Sequence, residues 1–146
     1  MSKKRITTGP FFVPLSPSAT DFFFFGRVNN GLNIILKNHS DKARTVRVTV
    51  DQCAAALFPA VSVEGAPALP ETTVTLQPDQ CTILPVVVSF PNTYRVVIRG
   101  DIDLDAEKME VSVTGGSTNA GLVEFADPTL FFRMEDFVKD EVDDDD

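Results

Sequence analysis

Asp101, Asp103, Asp105 and Glu107 in the stretch "GDIDLDAE" stand at alternate positions. On a strand or loop that spacing sets carboxylates on one side, as an oxygen-ligated cation such as calcium requires. A twelve-residue calcium loop opening at Asp101 would need glycine at its sixth position and glutamate at its twelfth, where this chain has Ala106 and Ser112. The run therefore reads as a solvated acidic face opposite Ile102 and Leu104, and no metal is expected. His39 is the single histidine and falls among turn residues, with no nucleophile, base and orienter to assemble around it. The chain holds no phosphate loop, no HExxH and no CxxC. No enzyme activity and no cofactor are expected.

Cys53 closes one expected strand and Cys81 opens another. Three states are open to them. A bridge within the subunit would close a loop of about thirty residues for ~3 kcal/mol; each thiol could instead pair with a neighbour in an assembly, or both stay reduced, as is usual in cytoplasm. Asn38-His39-Ser40 spells a glycosylation sequon, but without a secretion signal it serves as turn residues.

The largest demand on the fold comes from "DFFFF", residues 21 to 25. Successive strand side chains point to opposite faces, so four consecutive phenylalanines ask for apolar cover on both sides at once. Phe11, Phe12, Phe22, Phe23, Phe24 and Phe25 make up six of the twelve phenylalanines, and all precede residue 28. Leaving them in water would forfeit on the order of 10 kcal/mol. Pro10, Pro14 and Pro17 favour an extended path for the same segment. The arm either folds back as the first strand of its own sheet, its Phe run sealed by the 54 to 70 loop, or fills a groove on a sister subunit. A head-to-tail contact of the second kind that closes no ring generates a filament.

These residues must be positioned by strands. From Gly31 onward the apolar period is two, punctuated by Gly, Pro, Asn or Asp. Leu32, Ile34 and Leu36 share a face, as do Val46, Val48 and Val50 against Arg47 and Thr49. Residues 54 to 70 carry Pro59, Pro67 and Pro70, with a short strand expected around Val61 and Val63 in a segment crossing between sheets. Val74 and Leu76 alternate with threonine, and Pro85 points to an edge strand or a bulge. Tyr94, Val96 and Ile98 are expected inside against Arg95 and Arg99, followed by Met109, Val111 and Val113, then Leu130, Phe132 and Met134. Seven or eight short strands after residue 28 predict an all-β antiparallel sandwich, immunoglobulin-like or jelly-roll. The expected organisation is an N-terminal arm at 1–28, a sandwich domain at 29–134 and an acidic disordered tail at 135–146.

The formal charge of -8 is concentrated. Residues 135 to 146 hold eight acids against Lys139, so the body before them carries only -1. Its lysines and arginines sit singly, without the basic stripe that tracks a phosphate backbone, so nucleic acid is not an expected partner. The basic start "MSKKR" leads into a segment broken by Pro14, Ser16 and Pro17, which reads as no signal peptide. No stretch approaches the ~18 uninterrupted apolar residues of a membrane span. Synthesis in the cytoplasm, without membrane insertion, is the expectation.

The runs "LKNHSDKARTVRVTVDQC", "VTLQPDQCTILPVVVSFPNTYRVVIRG" and "MEVSVTGGSTNAG" resemble small β-sandwich proteins of spore-forming Gram-positive bacteria over roughly residues 30 to 134. Some of those are similar to endospore appendage subunits, fibres built without a secretion signal in which an N-terminal extension inserts into the next subunit. The resemblance implies that residues 6 to 28 are the connector and that assembly ends on a spore or cell surface. Appendage connectors of the best-known type carry cross-linking cysteines, and this arm has none.

The functional expectation is a structural homo-oligomer, a filament or surface-layer subunit with Phe11, Phe12 and Phe22 to Phe25 as docking residues. The alternative is a protein-binding module or a phage-type accessory protein that stacks single strands on exposed aromatics.

Overall fold

The computed structural model describes residues 4–14, 29–105, 107–119 and 122–140. Among them, apart from a 3-10 turn at Met134–Asp136, every regular element is a strand: β1 Lys4–Phe12, β2 Gly31–Asn38, β3 Arg44–Cys53, β4 Leu69–Leu76, β5 Cys81–Val87, β6 Thr93–Gly100, β7 Met109–Asn119, β8 Leu122–Phe132 and β9 Val138–Lys139. They form two sheets that pack face to face. Sheet A runs β4-β3-β6-β1-β9 and sheet B runs β5-β2-β7-β8, with every pairing antiparallel. The all-β sandwich expected from the period-two pattern is the observed fold. No helix among the described residues is long and apolar enough to cross a membrane.

The alternation expected of the strands sets the core. Leu32, Ile34 and Leu36 of β2 meet Val46, Val48 and Val50 of β3, Tyr94, Val96 and Ile98 of β6, and Met109, Val111 and Val113 of β7 in one buried cluster. Each such side chain contributes ~2 kcal/mol by leaving water. The connection from β2 in sheet B to β3 in sheet A is fixed by Asn38, whose buried amide nitrogen donates to the carbonyls of Lys42 and Leu76. Pro85 lies in β5, an edge strand paired in unbroken register with β2, and no bulge is needed.

The N-terminal segment differs from a separate arm. Over Lys4–Phe12 it is β1, paired with β6 from Lys4↔Gly100 to Phe12↔Thr93 inside its own sheet. The proline-bearing sequence is accommodated by a bulge between Thr7 and Pro10, where Gly9 takes φ 73°, a conformation that glycine adopts without Cβ strain. Two hydroxyls repair the ladder there. Thr7 Oγ1 donates to the Val96 carbonyl at 2.8 Å, and Thr8 Oγ1 accepts from the Val96 N–H at 3.2 Å.

The expected boundary at residue 135 also moves. Phe137 is buried, β9 pairs with Ile6 and Thr7 of β1, and the Asp140 carboxylate sits between Arg5 and Arg95. The acidic composition of the tail conceals this one apolar anchor and its two arginine partners. Residues 141–146 lie outside the described residues.

Two further expectations are corrected. The segment after Cys53 returns to the same sheet, since β4 pairs with β3, and does not cross to the other. Val61 and Val63 form no strand. Before β4 begins at Leu69, the segment pairs through a bridge between Cys53 and Glu64.

Candidate docking surface

His39, Asp101 and Asp103 each have a partner within the fold. His39 Nδ1 stands 3.6 Å from Glu110 Oε1, both side chains exposed. Asp101 accepts the Thr45 N–H at 2.9 Å, where Gly100 at φ 116° lets β6 pass close to β3. Asp103 accepts from Lys4 Nζ at 3.1 Å, with Lys108 Nζ at 4.0 Å. A hydrogen bond with the Asp105 side chain holds the Asp103 carboxyl below the ordinary aspartate value, helped by Lys4 and Lys108 and opposed by its desolvation. Among the described residues no three metal-ligating side chains converge.

The outer faces of the two sheets differ in kind. Sheet A carries Arg5, Arg47, Arg95 and Arg99, each within 4.0 Å of Asp51, Glu71 or Asp140. The lattice is open to solvent at Arg47, Arg99 and Glu71 and largely buried where Arg5 meets Asp140. Sheet B presents on β5 the outward positions Cys81, Ile83, Pro85 and Val87, all exposed, with Ile83 paired to half-buried Ile35 of β2. Val87 is 82% exposed. This strip holds no charge. On β2 it is bounded by Asn33, whose side-chain amide is turned so that its oxygen accepts the Val123 N–H at 3.0 Å, and by exposed Lys37, which pairs with Cys81.

A second apolar surface occupies the end of the sandwich where Phe12, Thr93 and Cys53 lie in register across sheet A. From Cys53 the chain projects as a finger, "AAALFPAVSV", residues 54 to 63, every residue exposed and none charged. Its base is tied by the Cys53–Glu64 bridge and by Gly65 N–H to Gln52 O, and its tip by a turn in which Ala60 N–H meets Leu57 O at 2.9 Å. Leu57, Phe58, Val61 and Val63 are 82% to 91% exposed. Forgoing burial of those four side chains leaves roughly 6 to 10 kcal/mol unused. Lone exposed apolar residues are ordinary, whereas a contiguous set marks an interaction site.

Beside the finger, Phe12 and Phe90 stack edge to face with centroids 5.8 Å apart, each about half exposed. Val13 N–H bonds Asn92 O, and the Asn29 side-chain amide donates to Pro14 O, so Pro14 and Asn29 lie side by side at this same end. Of the docking residues expected from the sequence, Phe11 is engaged within its own chain, its ring 4.8 Å from Phe132 and 6.4 Å from Tyr94. Phe12 is available. Phe22 to Phe25 lie outside the described residues.

Cys53 and Cys81 are both free. Cys53 ends β3 beside Thr93, whereas Cys81 pairs with Lys37 at the Asn38 end, a separation of roughly 25 Å along the strands. A disulfide needs Cα atoms within ~7 Å, so the bridge within the subunit is ruled out by strand geometry. That the two thiols stand at opposite ends follows from which strands pair, which their spacing along the chain does not reveal.

The finger is the feature that sequence reasoning missed. Its signal was ten residues without a charge in a segment with turn-like proline, a combination that reads equally well as a buried loop. Compared with protein-family models, curated proteins and solved structures, the chain matches none.

Proposed function

We propose that this protein is a self-assembling structural subunit of a filament or surface layer, whose copies associate through the apolar end bearing the finger, Phe12 and Phe90. The observation that carries the reading is the finger itself: ten uncharged residues held away from the molecule's own core by hydrogen bonds at base and tip. A self-assembling subunit gains from such a surface what an isolated molecule forgoes. Residues 4–12 are committed to their own sheet, so insertion of the arm over that length would require undoing β1. Phe22 to Phe25 join the docking set on the strength of the sequence. Attachment to a spore or cell surface belongs to the same proposal and rests on the resemblance in the three strand-bearing runs.

Negative-stain microscopy of the intact chain beside a Leu57→Ser/Phe58→Ser variant tests this. Ordered assemblies from the intact chain, and none from a variant with unchanged circular dichroism, are expected. Dispersed monomers from both would refute the proposal.

A second reading, a monomeric protein-binding module, draws on the same finger as a loop on a rigid scaffold. A heterologous partner that binds the intact chain while copies remain monomeric would favour it. A nucleic-acid partner fits poorly with arginines already neutralised by Asp51, Glu71 and Asp140.

A further inference from the structure

We infer that the finger of one copy lies along the β5 strip of the next, a one-way contact between residues 57–63 and Ile35, Ile83, Pro85 and Val87 of a second copy of this chain. The inference rests on the self-assembly reading above and names the surface that receives the finger.

The free edge of β5 is poorly suited to an added strand. Val88 N–H bonds Asn30 O and Gln80 O accepts from Asn38 N–H, so even-numbered residues of β5 direct their backbone groups at β2. The odd-numbered residues Cys81, Ile83, Pro85 and Val87 therefore direct theirs at the open edge, and Pro85 has no N–H to give. Proline at an edge position blocks an added strand. What β5 offers is its outward side chains.

Three properties match the two surfaces. The finger carries no charge, and neither do Ile35, Ile83, Pro85 and Val87, with Lys37 bordering the strip only at its Cys81 end, while the outer face of sheet A is a lattice of ion pairs, which an uncharged finger could cover only by desolvating paired ions. The finger, folded at Leu57–Ala60, extends on the order of 15 Å from Cys53, and the strip from Ile83 to Val87 runs about 13 Å. The apolar area of four exposed side chains on the finger, on the order of 600 Å², approaches the ~800 Å² that each partner of a standard interface gives up, too much for a small ligand to cover. Because the finger is exposed along its length, it is not seated on the strip of its own chain. Each copy has one finger and one strip. Joined one way, every added copy leaves one of each unfilled, and growth continues.

The test places a photo-cross-linker at the tip, Phe58→p-benzoylphenylalanine, with Leu57→p-benzoylphenylalanine as a second position. Isotopically light and heavy copies are mixed, irradiated, digested and mapped by mass spectrometry, with size-exclusion chromatography alongside. Light-to-heavy cross-links at residues 81–88 are expected, reduced roughly tenfold or more by Val87→Asp, which places a charge in the apolar contact. Assembly with inter-copy cross-links elsewhere would overturn the finger-to-strip contact and leave the self-assembly reading intact. Monomers without inter-copy cross-links would overturn both, and a closed dimer with reciprocal cross-links would overturn the one-way contact.

Discussion

Phe11 and Phe12 are adjacent in β1 and face opposite fates: Phe11 sits 4.8 Å from the Phe132 ring against the core, while Phe12 stands half exposed, edge-on to Phe90. The alternation of a strand assigns one ring to stability and its neighbour to the molecule's outer end. Substituting each separates the two roles. Phe11→Ala should lower the unfolding free energy by ~2 to 4 kcal/mol in a urea titration, whereas Phe12→Ala should cost under ~1 kcal/mol and weaken association instead.

Removing residues 1–12 takes away the strand between β6 and β9. The Val96 backbone loses both threonine hydroxyls, and Ile6 leaves the core. The truncated chain should lose its cooperative thermal transition or become insoluble. A truncated form with the intact chain's transition temperature would contradict the placement of β1.

The C-terminal segment predicts a sharp boundary. Ending the chain at Asp140 should leave stability within ~0.5 kcal/mol of the intact protein, because Phe137 and the Asp140 contacts with Arg5 and Arg95 are retained. Ending it at Met134 should cost roughly 3 kcal/mol or more, since a buried aromatic and the shared carboxylate both go. Denaturant midpoints of the two truncations measure the difference.

Asp103 gives a pH dependence of known sign. Its folded pKa lies below the ordinary aspartate value, so the ionised form stabilises the fold above the unfolded pKa of ~3.9, and that contribution is lost as pH falls through the lower folded value. Asp103→Asn should flatten the fall in stability below about pH 4 while leaving its shape above pH 5 unchanged. Thermal unfolding between pH 2 and pH 6 reads it, within the range of ordinary carboxylates.

Much of the fold is legible in the residues that alternate strictly. Val46-Arg47-Val48-Thr49-Val50 admits one pairing face, and Pro85 announces an edge because it has no N–H to spend on a neighbour. β1 is less legible. Its Gly9-Pro10 pair breaks the alternation, and the compensation comes from two threonine hydroxyls whose reach depends on β6 being alongside. The anchor at Phe137 is hidden among acids whose partners, Arg5 and Arg95, lie far away in the sequence. The finger's uncharged composition fits a buried loop as well as an exposed one. Leu57 and Phe58 look like core residues until the return of the chain to β4 shows that no layer is left to cover them.

The central claim is that copies of this chain shelter one another's exposed apolar end. Sedimentation velocity of the intact chain over a concentration series, from about 1 µM to 100 µM, a span that covers association free energies of ~5.5 to 8 kcal/mol, measures this most directly. The account predicts a weight-average sedimentation coefficient that climbs with concentration past that of a dimer, and stays at the monomer value for Leu57→Ser/Phe58→Ser. A single monomer boundary for the intact chain at every concentration would contradict it.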